Sequence, residues 1–316
     1  MTQMGTESLH LAAAGLDALE GGAALRHLLR AQLAAAAAVE AALPDIDRGA
    51  ALMAETLRAG GHLVYAGAGS SALMAISDGL ELSGTFGVSS RQILLRMAGG
   101  LPVDARMPGD TEDDDTEGTK AGAALSTGDL VIAVTASGRT PYSLALAKAA
   151  RLRGARVVAI ANNPGAAIFA HADVAICLPT PPEVIAGSTR MGAATAQKIA
   201  LNMMSTLMGI RLGQVHDGMM VGLIADNEKL RVRARAMVAT IAGVGDAEAS
   251  ASLAAAGGAV KPAVLIARGV TPQAAERLLT ATEGNLRAAL ARLTTTGPAP
   301  IFKAGQTDKT NQGSTK

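Results

Sequence analysis

The chain has 316 residues, of which 49% are hydrophobic and 17% charged, so it can bury the core of one large domain and a small second one. A formal net charge of +1, with no Trp, 2 Tyr and 3 Phe, disfavours nucleic-acid binding, membrane-surface binding and base stacking. The lone cysteine, Cys177, excludes an intramolecular disulfide. With an N-terminus that lacks a signal-peptide pattern, it favours a reducing cytoplasm.

The first part of the chain is predicted to be helical. Residues 8–60 place Leu, Ala and charged residues at helical spacing with few breakers, which predicts N-terminal helices over 1–60. The apolar run Leu33–Val39 is short and bounded by polar residues, so it predicts an Ala-rich helix and not a membrane span.

Short apolar or β-branched runs then alternate with helical patterns. They are His62–Ala66, Gln92–Met97, Leu130–Thr135, Arg156–Ala161 and Val174–Leu178. Such alternation predicts a parallel sheet covered on both faces, and right-handed crossovers make it doubly wound. The predicted fold class is therefore α/β, with a doubly wound, five-stranded parallel sheet sandwiched by helices over 61–242.

The remaining chain is also predicted to be helical. A long helical stretch is expected from about Gly187 to Ala242, with its methionines serving as core filler. The sequence GVGD at 243–246 interrupts this pattern, and 243–302 has the pattern of a small C-terminal helical module. The polar tail over 303–316 is predicted to be disordered.

Three loops that follow predicted strands combine small and hydroxyl residues where a helix begins. Their sequences are GAGSS at 67–71, ASGRT at 136–140 and GSTR at 187–190. Ligands of open parallel sheets bind at the carboxyl ends of the strands, where helix N-termini offer N–H groups and glycine allows close approach. Any one loop is equally consistent with ordinary N-capping, but three together predict a phosphate site. The candidate phosphate-binding residues are Gly69, Ser70, Ser71, Ser137, Gly138, Arg139, Thr140, Ser188 and Thr189.

The glycine loop does not fit a dinucleotide fingerprint. Ala72 and Leu73 follow it without the third glycine, and the second predicted strand ends without an acidic residue. No nicotinamide or other cofactor is therefore expected. The acidic run over 112–115 has no nearby His and no recognised metal-loop spacing, so no metal site is expected.

Several motifs occur in a fixed order over about 45–290. They are GHLVYAGAGSS (61–71), GDLVIAVTASGRTPY (128–142), NNPGA (162–166), HADVAI (171–176), PEVIAGSTRMGAATAQKIALNMMST (182–206) and NEKLRVRAR (227–235). In these motifs the chain resembles the bacterial N-acetylmuramic acid 6-phosphate etherases, which carry a sugar isomerase (SIS) domain, and their relative the glucokinase regulatory protein. The resemblance implies a sugar 6-phosphate ligand and a carbon–oxygen lyase (EC 4.2.1). Such an enzyme splits the lactyl ether to give N-acetylglucosamine 6-phosphate and D-lactate.

The resemblance also implies two catalytic glutamates, which match Glu81 and Glu112. Ring opening gives an aldehyde that acidifies the proton at C2, so loss of the lactyl group from C3 needs a base and an acid. By resemblance, Glu81 is the proton donor and Glu112 handles a proton of the substrate or of water. Which carboxylate takes the C2 proton stays open. From the residues alone, each glutamate is more typical of a solvated helix position than of a catalytic site.

The chain departs from the family pattern near the sugar and lactyl end of the site. Residues 72–75 read Ala-Leu-Met-Ala where the family reads Gly-Arg-Leu-Gly, residues 82–84 also differ, and Gly192 replaces a lysine. Leu73 thereby replaces an arginine that could have bound the lactyl carboxylate through two hydrogen bonds. An isomerase or lyase for another sugar phosphate, and a non-catalytic sugar-phosphate sensor, therefore stay open as alternatives.

A homodimer is expected, without nucleic-acid or membrane partners. Domains of the SIS fold commonly take a residue of the sugar site from the neighbouring subunit, and the apolar N-terminal helices offer a surface for pairing.

Overall fold

The structure is a computed structural model that describes residues 5–107 and 109–295. The chain divides into two compact units, Met1–Val215 and His216–Lys316. The strands of the first unit are β1 (Leu63–Gly67), β2 (Ile93–Met97), β3 (Leu130–Thr135), β4 (Arg156–Ala161) and β5 (Val174–Cys177). Its helices are α1 (Gly21–Ala37), α2 (Leu43–Arg58), α3 (Gly69–Phe86), α4 (Asp115–Ala123), α5 (Pro141–Leu152) and α6 (Gly192–Arg211).

Within the described residues, five parallel strands form one sheet in the order β2-β1-β3-β4-β5. Tyr65 at the centre of β1 is in register with Leu95 of β2 and Ile132 of β3. The strand order reverses between β1 and β3, which makes this the switch point where doubly wound sheets bind ligands. The observed topology confirms the predicted fold class, with four strand ends displaced by one residue.

Alternate side chains of the strands are buried on opposite faces of the sheet. Tyr65 and Ile132 pack into a core with α2, α3 and α6, whereas Val64 and Val131 pack with α4 and α5. All four of these side chains are completely buried, as is typical of parallel strands covered on both faces. The loops at the carboxyl ends of β1 and β3 are therefore held by two packed cores.

Two predictions of helix extent are wrong. Residues 8–20 contain a 3-10 turn but no α-helix, because Gly15 adopts a left-handed backbone with φ 72° before α1 begins. The long helix predicted from Gly187 to Ala242 begins only at Gly192 and ends at Arg211. The left-handed Gly213 (φ 67°) lies just beyond the end of α6, where such a glycine terminates helices.

The described secondary structure of the second unit is helical apart from an isolated antiparallel bridge between His216 and Met219. Its helices are α7 (Glu228–Ala242), α8 (Asp246–Ala255), α9 (Val260–Ala267), α10 (Pro272–Ala281) and α11 (Leu286–Thr295). Met237 and Val238 of α7 share a core with Val264 and Leu286, so this unit begins before the predicted module boundary at 243. The predicted disordered tail over 303–316 lies outside the described residues.

None of the helices in the described part of the chain is both long and apolar enough to span a lipid bilayer.

Candidate active site

A cavity of about 390 Å³ lies at the carboxyl ends of β1 and β3, beside the switch point of the sheet. The residues that line it are Ala68, Gly69, Ser70, Ser71, Met107, Glu112, Ala136, Ser137, Thr140, Gly187 and Thr189. The three predicted loops therefore meet at one place. Among these described lining residues there is no Lys or Arg, so an anion there must be held by hydroxyls, backbone N–H groups and helix dipoles.

The first loop brings the backbone of β1 directly into the start of α3. A Cβ on Gly67 would lie 2.8 Å from the carbonyl oxygen of Val134 on β3, so only glycine fits between the strands there. Gly69 has φ 53° and begins the helix, which places Ser70 and Ser71 in its first turn. The first N–H groups of a helix lack intrahelical partners and are therefore available to bind an anion.

Hydrogen bonds within the second loop fix its shape. The hydroxyl of Thr135 accepts from the Gly138 N–H at 3.2 Å and pairs with the hydroxyl of Thr140 at 2.9 Å. The Arg139 N–H donates to the Ser137 hydroxyl at 3.1 Å. Ser137 and Thr140 line the cavity, but Gly138 is buried behind the loop and Arg139 is exposed outside the cavity. The structure therefore places Gly138 and Arg139 away from direct contact with a ligand in the cavity.

The third loop contributes Gly187 and Thr189 to the cavity, whereas Ser188 does not line it. The sequence predicted that the N-terminus of the next helix, α6, would face a ligand. In the structure this N-terminus is already occupied. Glu183 is buried, and its two carboxylate oxygens accept hydrogen bonds from the first N–H groups of α6. The Gly192 N–H donates at 2.9 Å and the Ala193 N–H at 2.8 Å. A carboxylate at this position neutralises the positive end of the helix dipole.

Truncation of Glu183 is expected to destabilise the first unit. Glu183→Ala leaves two helix N–H groups buried without acceptors, which should lower the free energy of unfolding by about 2 kcal/mol. Urea unfolding measures the loss, with Glu55→Ala as the matched control. Glu55 pairs with Arg156 at 2.8 Å in an exposed ion pair, whose loss should cost below about 1 kcal/mol. Equal losses for the two variants would contradict a capping role for Glu183.

Glu112 lies over the first turn of α3. It belongs to the 3-10 turn Asp110–Asp113 and is half-buried. A Cβ on Gly69 would lie 2.7 Å from the Glu112 Oε1 atom, which shows how closely the carboxylate approaches the glycine loop. Burial raises the pKa of Glu112, and the negative charge of Asp113 raises it further. A carboxyl group with a raised pKa, at the wall of a polar cavity, is suited to moving protons.

Glu81 does not line the cavity of its own chain. It is exposed on α3, and the helix rises roughly 16 Å between Ser70 and Glu81 at 1.5 Å per residue. Within one chain, the structure therefore does not bring Glu81 to the cavity that Glu112 lines.

Asp78 is a buried carboxylate that sequence reasoning did not single out. It is 4% exposed and accepts hydrogen bonds from the Tyr65 hydroxyl at 2.8 Å, Asn202 Nδ2 at 2.7 Å and the Ser205 hydroxyl at 2.9 Å. Burial raises the pKa of Asp78 despite these hydrogen bonds, and the charge of Glu81 adds to the rise. This network ties the Glu81 segment of α3 to β1 and α6.

In the described part of the chain, neither a group of metal ligands nor the lone cysteine indicates a further site. In the described ranges, no three His, Cys, Asp or Glu side chains are grouped as a metal ion requires. Cys177 is half-buried on β5, where burial and the charge of Asp45 raise the pKa of its thiol. A raised pKa lowers the fraction of thiolate, so Cys177 is suited to packing and not to nucleophilic attack.

Sequence comparison matches this chain to one family model and to several named relatives. A family model for the SIS domain matches residues 113–207. A Symbiobacterium thermophilum protein named N-acetylmuramic acid 6-phosphate etherase is 47% identical, over 73% of this chain and 77% of the relative. A protein of the same name from Deinococcus radiodurans is 40% identical, over 90% of this chain and 94% of the relative. Another from Burkholderia lata is 42% identical, over 91% of this chain and 96% of the relative. The similarity therefore extends into both compact units.

Proposed function

The chain belongs to the N-acetylmuramic acid 6-phosphate etherase family, and from this premise we propose that it cleaves the lactyl ether of N-acetylmuramic acid 6-phosphate. The products are N-acetylglucosamine 6-phosphate and D-lactate. The observation that carries the proposal is the cavity at the switch point, where three hydroxyl-bearing loops meet a carboxyl group with a raised pKa. This is the chemistry that a phosphorylated sugar and a proton-transfer reaction require.

The loops would hold the 6-phosphate. Ser70 and Ser71 lie at the N-terminus of α3, and the hydroxyls of Ser137, Thr140 and Thr189 converge on the same cavity. A dianion held by uncharged donors and a helix dipole keeps its position without a salt bridge. Anchoring at the phosphate then orients the rest of the sugar toward Glu112.

Glu112 would transfer a proton during elimination. Opening of the sugar ring exposes an aldehyde at C1, and a base then removes the proton at C2 while the C3–O bond to lactate breaks. Water adds at C3 of the unsaturated aldehyde, which restores the amino sugar and balances the reaction. This sequence is that of a carbon–oxygen lyase of the hydro-lyase class. We also propose a cytoplasmic location, which the lone cysteine supports.

The second glutamate would come from another copy of the chain. Glu81 is exposed and lies beside Leu80, which is 66% exposed. On α1, Leu25, Leu29 and Leu33 recur every four residues and are also mostly exposed, which gives the first unit an apolar stripe. In the proposed homodimer such apolar surface is covered, and Glu81 of each subunit acts as proton donor at the cavity of the other.

Mixing two inactive variants tests this arrangement. Glu81→Gln and Glu112→Gln should each lack activity, but refolding them together should restore about a quarter of wild-type activity. Half of the dimers are then mixed, and each mixed dimer has one intact site. Glu112→Gln mixed with Glu112→Ala is the control and should stay inactive. A fully active wild-type monomer, or an inactive mixed dimer isolated with two affinity tags, would exclude the proposed dimer site.

Assay of lactate release tests the proposed activity. Purified protein should convert N-acetylmuramic acid 6-phosphate into equal amounts of D-lactate and N-acetylglucosamine 6-phosphate, and Glu81→Gln should abolish the release. A chelator should leave the rate unchanged. Tight binding without turnover would instead indicate a sensor, and turnover of fructose or glucosamine phosphates alone would indicate an isomerase. Either result would overturn the proposed etherase activity.

A further inference from the structure

A second cavity of about 190 Å³ shares the side chain of Met107 with the first. It is formed by the segment that follows β2, between Met97 and Met107. Its walls are mixed, with apolar side chains such as Leu101 and Pro102 beside the charged Asp104 and Arg106. The smaller cavity suits a short substituent of the sugar held in the larger one, and not a second sugar.

Arg106 gives this second cavity a positive charge. Among the described residues that line either cavity, it is the only cation. The one acidic residue on the wall, Asp104, already accepts a hydrogen bond from the Arg106 backbone N–H at 2.8 Å. Met97 lines the cavity and belongs to an apolar cluster against which Leu73 of α3 packs. The wall of the cavity at Met97 is therefore apolar.

We infer that Arg106 binds the lactyl carboxylate of the substrate, an inference that rests on the proposed etherase activity. The substrate carries two anionic groups. The hydroxyl loops and the N-terminus of α3 suit the phosphate in the first cavity, and the second cavity contains the one guanidinium among the described residues that line either cavity. The lactyl group combines a carboxylate with a methyl group, which matches a guanidinium beside the apolar side chains of Leu101 and Pro102. A guanidinium can hold a carboxylate through two parallel hydrogen bonds.

This assignment makes Arg106 a residue that distinguishes substrate from product. N-acetylglucosamine 6-phosphate keeps the phosphate and the sugar but has lost the lactyl carboxylate. Loss of the Arg106 side chain should therefore weaken the binding of the substrate and leave the binding of this product unchanged. A merely structural role for Arg106 would weaken both in parallel.

Kinetics of Arg106→Met test the inference. We expect the KM for N-acetylmuramic acid 6-phosphate to rise about ten- to a hundredfold, which is the range for a charge-assisted hydrogen bond. The inhibition constant of N-acetylglucosamine 6-phosphate should stay within about twofold of the wild-type value. Arg106→Lys keeps the charge and should recover part of the loss. Arg91→Met is the matched control, because Arg91 is exposed and lies before β2, at the opposite end of the strand.

Three outcomes would overturn the assignment. They are an unchanged KM in Arg106→Met, an equal rise in the KM and in the inhibition constant, and an Arg91→Met effect as large as that of Arg106→Met. If the wild-type protein releases no lactate, the proposed activity fails first. Calorimetric titration of the two sugar phosphates into wild type and Arg106→Met then decides the inference separately, because equal changes in affinity for both ligands contradict it.

Discussion

Glu112→Gln is expected to lower kcat for lactate release by about 10²–10⁴, the range for loss of a general acid or base. The KM should change little. Glutamine keeps the size and hydrogen-bonding reach of the side chain that lies against Gly69, but it cannot take up or release a proton. Steady-state kinetics with D-lactate detection measures the change. A variant with wild-type kcat would exclude Glu112 from the chemistry.

The pH dependence of the rate then decides what Glu112 does. If it acts as the base, activity is lost as the pH falls through its pKa. Because burial and Asp113 raise that pKa, the loss begins at a higher pH than for an ordinary glutamate. If it acts as the acid, activity is lost as the pH rises through the same pKa.

Asp113→Asn is the matched variant for this profile. Asp113 is exposed and lies beside Glu112, so removing its charge should lower the pKa of Glu112 without removing the proton-transfer group. The limb of the pH profile that belongs to Glu112 should therefore move to lower pH, with the maximal kcat preserved. An unmoved limb would show that another group controls the rate.

The sequence was most informative where local patterns decide the structure. β3 is buried along its whole length, and such a strand appears in the sequence as a continuous apolar run. The hydroxyl loops could be predicted to converge because parallel strands end at the same edge of a sheet. For the same reason Ser70, Ser137 and Thr189 were expected together, and they line one cavity.

Contacts between distant segments could not be predicted in this way. The partners Asn202 and Ser205 of Asp78 lie more than a hundred positions further along the chain, and nothing near Asp78 in the sequence indicates them. Glu183 has no capping-box spacing to Gly192, since the chain folds back before the helix begins. The position of Glu81 relative to the cavity likewise follows from the length of α3 and not from its motif.

Gly138→Ala is expected to have the largest effect on stability, lowering the free energy of unfolding of the first unit by about 2–5 kcal/mol. Two costs combine. Gly138 has φ 71°, which alanine adopts only with strain, and its added Cβ would lie 2.2 Å from the Ala166 Cβ atom. Relief of that contact moves the loop that carries Ser137 and Thr140, so phosphate binding should weaken as well. Urea unfolding and sugar-phosphate titration measure the two effects.

Gly165→Ala separates the two costs. Gly165 has φ 70°, almost the same as Gly138, but a Cβ there would meet no atom within 4 Å. Its replacement should therefore cost only the backbone strain, about 1–2 kcal/mol. The difference between the two variants measures the contact with Ala166, and adding Ala166→Gly to Gly138→Ala should recover most of that difference. Equal losses in Gly138→Ala and Gly165→Ala would show that backbone strain alone, and not close packing behind the phosphate loop, requires glycine at position 138.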